Sequence, residues 1–330
     1  MTFVLAGFLL YSVFIAAFAW WRPRPRNAGH ASGLTFWIVI LGADEKAIRA
    51  AFALDSPEYP VRVLCQDADE SKGEALNAAY RHIRDSAVEQ GIVRQTVIGV
   101  FHGDGCAEPG VLKEVAAFFS GRKVGAVQSR IAMRGSLRGL DFTATEDASQ
   151  RRRDAFGHVK LGGNGQFIRL TALMRLGDSP WSGSLSHRLH LAGVGIRYAA
   201  NAVVTQEASP RVDFRSLKYV RKLTWPRAAA LVAPWLAAPL TAGVLALTIA
   251  TGNAAWLGAL LAPGLVQRLR PSGEPWRRML AAGILYPVFL LFRIISPWHA
   301  LIRMTNVVPL VPPGLLPWTD GHPGLSARRP

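Results

Sequence analysis

Leu161–Arg169 reads LGGNGQFIR: two adjacent glycines, an amide and a third glycine, set directly before a pattern that reads as an amphipathic helix. A turn so poor in side chains exposes its backbone, and its amides give it polar groups to hold something with. Alone it could equally be a structural turn, because glycines supply positive φ and close backbone approach for purely local reasons. Its neighbours shift that balance. Upstream lie Lys72-Gly73-Glu74-Ala75-Leu76-Asn77, then Val100-Phe101-His102-Gly103-Asp104-Gly105, then Val124-Gly125-Ala126-Val127-Gln128.

Around these runs, short apolar stretches alternate with helical ones, the pattern of an α/β sheet. Leu34–Leu41, Val61–Cys65, Gln95–Phe101 and Gly125–Gln128 read as strands, and Glu45–Leu54, Gly73–Ser86 and Gly110–Phe119 as helices. Ligands of such sheets gather at the carboxyl ends of the strands. Asp67, Asp69 and Asp104 all fall just past strand ends, although each alone reads equally well as a turn aspartate.

Half of the residues are hydrophobic and only 18% are charged, which suits a chain with membrane segments. The net charge of +16 does not read as a nucleic-acid interface. Arg and Lys gather in Arg22–Arg26, Arg151–Arg153, Arg215–Arg227 and Arg268–Arg278, several of which flank apolar runs, and no basic helix with interleaved aromatics stands out. Cys65 and Cys106 are too few for a disulfide framework or a zinc site and read as small buried hydrophobes.

The apolar run Thr2–Trp21 is long enough to span a bilayer and is followed by Arg22-Pro23-Arg24-Pro25-Arg26. It reads as an uncleaved anchor over 1–21 with a basic linker over 22–33. From Ala228 to Gln267 there is no charged residue, and Thr251-Gly252-Asn253 interrupts the run as a turn would. A membrane hairpin is expected within 226–300, with Met279–Phe292 as a further spanning or interfacial helix and 301–330 as an irregular tail. The expected location is a multi-pass cell-membrane protein with residues 34–225 on the cytoplasmic side.

In order and spacing these motifs resemble the membrane-embedded family 2 glycosyltransferases, the relatives of cellulose and hyaluronan synthases. The resemblance covers roughly Phe36 to Trp225 and the flanking apolar runs. It implies a glycosyltransferase A-type nucleotide-sugar-binding sheet flanked by transmembrane helices. It also implies a nucleotide-sugar donor, a lipid or glycan acceptor, contact with membrane lipids, and protein partners in an assembly system, with no role for nucleic acid. Asp67 or Asp69 takes the place of the aspartate that contacts the nucleoside, and Lys72–Asn77 that of the run bordering the donor, although the Cys65–Lys72 connection is shorter than is usual there. Gly162, Gly163, Asn164, Gly165, Gln166, Trp181 and Trp225 complete the donor-side positions carried over, with Lys72, Asn77 and Asp104.

The resemblance fails where chemistry is done. A sugar diphosphate leaves as a polyanion, and a divalent cation, Mg2+ or Mn2+, held on carboxylates offsets that charge. Here His102 stands at the first of the two metal-binding aspartates and Asp104 at the second, and imidazole prefers softer metals. Where a Thr-Glu-Asp triplet supplies the base, the chain reads Ser186-His187-Arg188. His187 is the candidate substitute base, but Arg188 occupies the base's own position and its charge opposes protonation of the imidazole. Of the channel-capping Gln-X-X-Arg-Trp only Trp225 remains, with Arg221 and Lys222 out of register. The retained residues shape a pocket and the lost ones carry the reaction.

Two readings therefore compete: a glycosyltransferase of hexosyl type with impaired or altered transfer, and a non-catalytic subunit that keeps the scaffold as a binding platform. A transporter fits poorly, since the apolar runs are few and carry no paired intramembrane acids.

Overall fold

A computed structural model describes residues 33–206 apart from 43–44, 67–70, 121–122, 135–136 and 183, together with 276–286 and a few isolated positions between 243 and 265. In chain order the elements are β1 (Thr35–Leu41), α1 (Glu45–Phe52), β2 (Val61–Gln66), α2 (Lys72–Glu89), β3 (Thr96–His102), β4 (Cys106–Ala107) and α3 (Val111–Phe119). There follow β5 (Val124–Met133), α4 (Leu137–Ala155), β6 (Gln166–Arg169), α5 (Leu170–Met174), α6 (Leu185–Leu191), β7 (Gly195–Gln206) and α7 (Trp276–Ile284).

The seven strands form one mixed sheet in the order β2-β1-β3-β6-β5-β7-β4. β1 pairs in parallel with β2 and β3, while β6 runs antiparallel to both of its neighbours, β3 and β5. After Thr35, β1 is apolar and buried to its end because it is covered on both faces, as central strands of α/β sheets are. Successive side chains alternate, so Trp37, Val39 and Leu41 enter one core with Ala79, Tyr80 and Ile83 of α2, while Phe36, Ile38 and Ile40 enter the other with Val115, Ala116 and Phe119 of α3. Phe167 of β6 is fully buried and meets Phe36 and Phe101 edge-on at 6.2 and 5.8 Å between ring centres. Gly99 makes room for that ring, since a Cβ there would lie 3.0 Å from Phe167 Cε1.

α2 begins at a capping box. Ser71 Oγ accepts from the Glu74 N–H and donates to Glu74 Oε2 at 2.5 Å, which satisfies one of the four orphan donors of the first turn. Leu76, Tyr80, Ile83 and Ala87 then recur on the buried face. α4 is different: Asp141, Asp147, Gln150, Arg151, Arg152 and Asp154 are all buried. Asp147 accepts from Arg151 Nε at 2.9 Å and from the Tyr198 hydroxyl at 2.7 Å, and Asp154 accepts from Arg197 Nε at 2.8 Å and the Tyr198 N–H at 3.0 Å. The pairing makes such burial tolerable, because an uncompensated interior charge is costly.

The expected flanking transmembrane helices and the multi-pass membrane location require correction. Among the described residues no helix is long and apolar enough to cross a membrane. The described part of the Met279–Phe292 run, residues 279–286, lies largely in α7. α7 packs against α4 and turns Ala282 inward. The runs Thr2–Trp21 and 301–330, and nearly all of Ala228–Gln267, lie outside the described residues.

Two local expectations also change. The second half of LGGNGQFIR is a four-residue strand in the middle of the sheet, followed only then by the short helix α5. Cys65 is exposed rather than buried, and Cys106 is half-buried; both are free thiols.

Candidate functional site

Because β1, β2, β3 and β5 point the same way and β6 points back, the loops after Leu41, Gln66, His102 and Met133 and the turn leading into Gln166 share one edge of the sheet. That edge collects most of the polar residues singled out in the sequence. Asn164 is its centre and is 1% exposed. Its side-chain carbonyl accepts the His102 N–H at 2.5 Å, and its amide donates to Asp104 Oδ1 at 3.2 Å and to Gln206 Oε1 at 2.9 Å. Three strand ends are joined through one amide.

The glycines explain how Asn164 reaches this position. Gly163 and Gly165 have φ of 67° and 69°, in the region that favours glycine. A Cβ on Gly165 would lie 1.8 Å from Ser129 Oγ, so the turn sits directly on β5. Ser129 donates through both its N–H and its hydroxyl to the Gly165 carbonyl, each at 2.9 Å. Gln128 bridges the turn, donating to the Asn164 carbonyl at 2.9 Å and accepting the Gly162 N–H at 3.0 Å, while Gln166 donates to the Gly163 carbonyl at 2.8 Å. From α4, Gln150 bonds both backbone groups of Lys160. Gly105 lets the β3 loop close on Asn164, since a Cβ there would lie 2.5 Å from Asn164 Oδ1.

Lys72, the first residue of α2, points its ammonium at His102 Nε2, 2.5 Å away. An ammonium only donates, so the acceptor lone pair of His102 is on Nε2 and its ring proton on Nδ1. Lys72 as a whole residue is exposed. The site atoms crowding its ammonium end lower it from its ordinary value to about 8, while the Asp104 carboxylate pulls it upward. Asn77, one turn further along α2, accepts the Trp181 N–H at 3.0 Å, and Gly73 lets α2 start close to the Trp181 carbonyl. The Trp181 indole N–H is buried without an acceptor among the described residues.

Lys72, His102, Asp104 and Asn164 are thus brought together, with Gly162, Gly163, Gly165 and Gln166 forming the turn beneath them and Asn77 and Trp181 packed beside the start of α2. Asp67, Asp69 and Trp225 lie outside the described residues. His187 is buried on α6, a helix reading LSHRLHL with no carboxylate. Arg188 is a loop clamp: its guanidinium donates to the carbonyls of Leu176, Ser179 and Pro180 at 2.8, 2.6 and 2.8 Å and to Ser182 Oγ at 2.9 Å. Gln206 and Ser129 belong to the edge and carry no motif that would have marked them in sequence; Gln128 was visible only as the end of a strand.

The divalent cation implied by the resemblance does not fit the residues described. His102 Nε2, the nitrogen facing the site, already holds an ammonium, and Asp104 Oδ1 is engaged by Asn164. Among the described residues no group of three or more His, Cys, Asp or Glu could hold a metal ion.

No protein-family model matches the sequence, and no curated protein sequence matches it. Among solved structures the chain is similar to a mannosyltransferase from Pyrobaculum calidifontis in complex with GDP-Man and Mn2+, at 17% identity over 88% of this chain and 95% of that one, with a TM-score of 0.46. It is also similar to GalNAc-T7 with UDP, GalNAc and Mn2+, at 10% identity over 60% of this chain and 48% of that one, with a TM-score of 0.34. A third is glucosyl-3-phosphoglycerate synthase from Mycobacterium tuberculosis with Mn2+, UDP and phosphoglyceric acid, at 17% identity over 65% and 84% of the two chains and a TM-score of 0.35. These structures are glycosyltransferases, and at such scores the likeness is remote.

Proposed function

We propose that this chain binds a nucleotide-diphosphate sugar at the carboxyl edge of its sheet and transfers the sugar slowly or not at all. The observation that carries the reading is the Asn164 junction. One buried amide holds the ends of β3 and β7 and the glycine turn in a fixed arrangement beside an exposed lysine, which is a costly thing to build for a turn with no ligand. The order of motifs along the chain supports the same reading. Asp67 and Asp69, in the connection just before Lys72, belong to it as nucleoside-side residues.

Impaired transfer follows from the acceptor side. A sugar hydroxyl needs a base within hydrogen-bond reach, and general-base catalysis is worth about two to four orders of magnitude. Arg188, at the position where the resemblance places that base, is committed to the 176–182 loop, and α6 offers no carboxylate. His187 is the remaining candidate on that helix.

A second reading, a non-catalytic subunit that serves as a platform in a polysaccharide or glycolipid assembly system, is favoured by the same Arg188 clamp. Incubation of the purified chain with UDP- and GDP-sugars and candidate acceptors separates the two. Turnover abolished in His187→Ala would establish an active enzyme with a substitute base, and turnover unaffected by it would place the base elsewhere. Slow but measurable turnover supports a transferase with impaired chemistry, and donor binding with no turnover supports the non-catalytic platform.

A further inference from the structure

The positions where the resemblance calls for a metal instead present a lysine seated on a histidine. We infer that Lys72, held on His102 and placed at the N-terminus of α2, takes the role of a divalent cation toward the ligand's diphosphate, so that the site binds nucleoside diphosphates without metal. This rests on the nucleotide-sugar reading and adds to it the identity of the counter-charge.

Three observations converge. First, the Nε2 lone pair of His102, which a metal would need, is occupied by the Lys72 ammonium at 2.5 Å. A divalent ion drawn to His102 and Asp104 would meet that like charge and would have to displace it. Second, the ammonium of Lys72, an exposed residue, is oriented by its acceptor, with Asp104 and Asn164 held beside it at the edge of the sheet where a diphosphate would bind. Third, Lys72 is the first residue of an 18-residue helix. The Ser71–Glu74 capping box occupies the Glu74 N–H and ties the Glu74 carboxylate back to Ser71. The N–H groups of Lys72 and Gly73 are ones that the helix itself cannot satisfy, and they lie at its positive end. A lysine supplies a point charge suited to phosphate, as an ammonium does in other phosphate cradles.

The test is calorimetric titration of the full chain with UDP, GDP and inorganic pyrophosphate, once in EDTA and once in excess Mn2+. The inference expects dissociation constants equal within about threefold in the two conditions. It also expects Lys72→Met to weaken binding about 10- to 100-fold, the range of a charge-assisted hydrogen bond. Lys72→Arg, which keeps the charge, should retain most of the affinity, and unchanged thermal unfolding of both variants excludes misfolding as the cause. Binding that requires Mn2+, or that survives Lys72→Met unchanged, overturns the inference while leaving a nucleotide site in place. Absence of binding in both conditions overturns the nucleotide-sugar reading and this inference with it.

Discussion

The side-chain carbonyl of Asn164 accepts the backbone N–H of His102 at 2.5 Å, so the glycine turn before β6 is tied to the end of β3. Removing it leaves a half-buried N–H without an acceptor and releases both Asp104 and Gln206. Asn164→Ala should therefore destabilise the fold by about 2–3 kcal/mol, given about 1–3 kcal/mol for each buried polar group left unsatisfied. Urea denaturation measures this. A loss under about 0.5 kcal/mol, the level of an ordinary surface change, would show that the junction is not holding the edge together.

The glycines of the turn should respond unequally. Gly165→Ala must accept a positive φ and a Cβ that starts 1.8 Å from Ser129 Oγ, and the backbone term alone costs about 1–2 kcal/mol. Gly162→Ala meets nothing closer than Lys160 Cε at 4.0 Å and should stay within about 0.5 kcal/mol of the parent. Paired denaturation curves decide it, and equal effects at the two positions would contradict the turn geometry.

The buried α4 network predicts an alkaline limit. Burial raises the Tyr198 hydroxyl well above its ordinary value, with Asp147 adding to the effect and Arg151 opposing it. Its folded value lies above its unfolded one, so its contribution is complete below about pH 10 and is lost as pH climbs from there toward the folded value. Tyr198→Phe should cost about 1–3 kcal/mol at pH 7 by leaving Asp147 short of a donor. It should also lose less stability than the parent between pH 9 and about pH 11, since the unfolded tyrosine ionises near pH 10. Tyr59, pushed up to about 12 mainly by burial, remains in both proteins and cancels in the comparison.

Arg188 should prove structural. Arg188→Ala removes the donor shared by the carbonyls of Leu176, Ser179 and Pro180 and should lower stability by about 1–3 kcal/mol. Nucleotide affinity should change far less than in Lys72→Met. An Arg188→Ala protein as stable as the parent would contradict the clamp.

The four strands and three helices read from hydrophobic pattern between residues 34 and 128 are present, with ends displaced by up to five residues. β6 was hidden because QFIR runs directly into the helix beyond it and reads as part of the helical pattern. α4 was hidden for a different reason. Its buried face is made of Asp, Arg and Gln, whose burial depends on partners in β7 that only the fold supplies. The convergence of Asp104 with Asn164 was legible from strand order and motif position, whereas the Lys72–His102 contact was not, since it depends on how α2 starts against β3. The apolar runs suggested spanning helices by composition alone, whereas among the described residues no helix is long and apolar enough to cross a membrane.

The most direct test of nucleotide-sugar binding without appreciable transfer is saturation-transfer NMR on the full chain with a panel of UDP- and GDP-sugars, followed over hours. The account predicts saturation on base and ribose protons of at least one nucleotide sugar, its displacement by the free nucleoside diphosphate, and persistence of the intact sugar linkage throughout. No saturation on any member of the panel, or rapid consumption of the sugar donor, would contradict it.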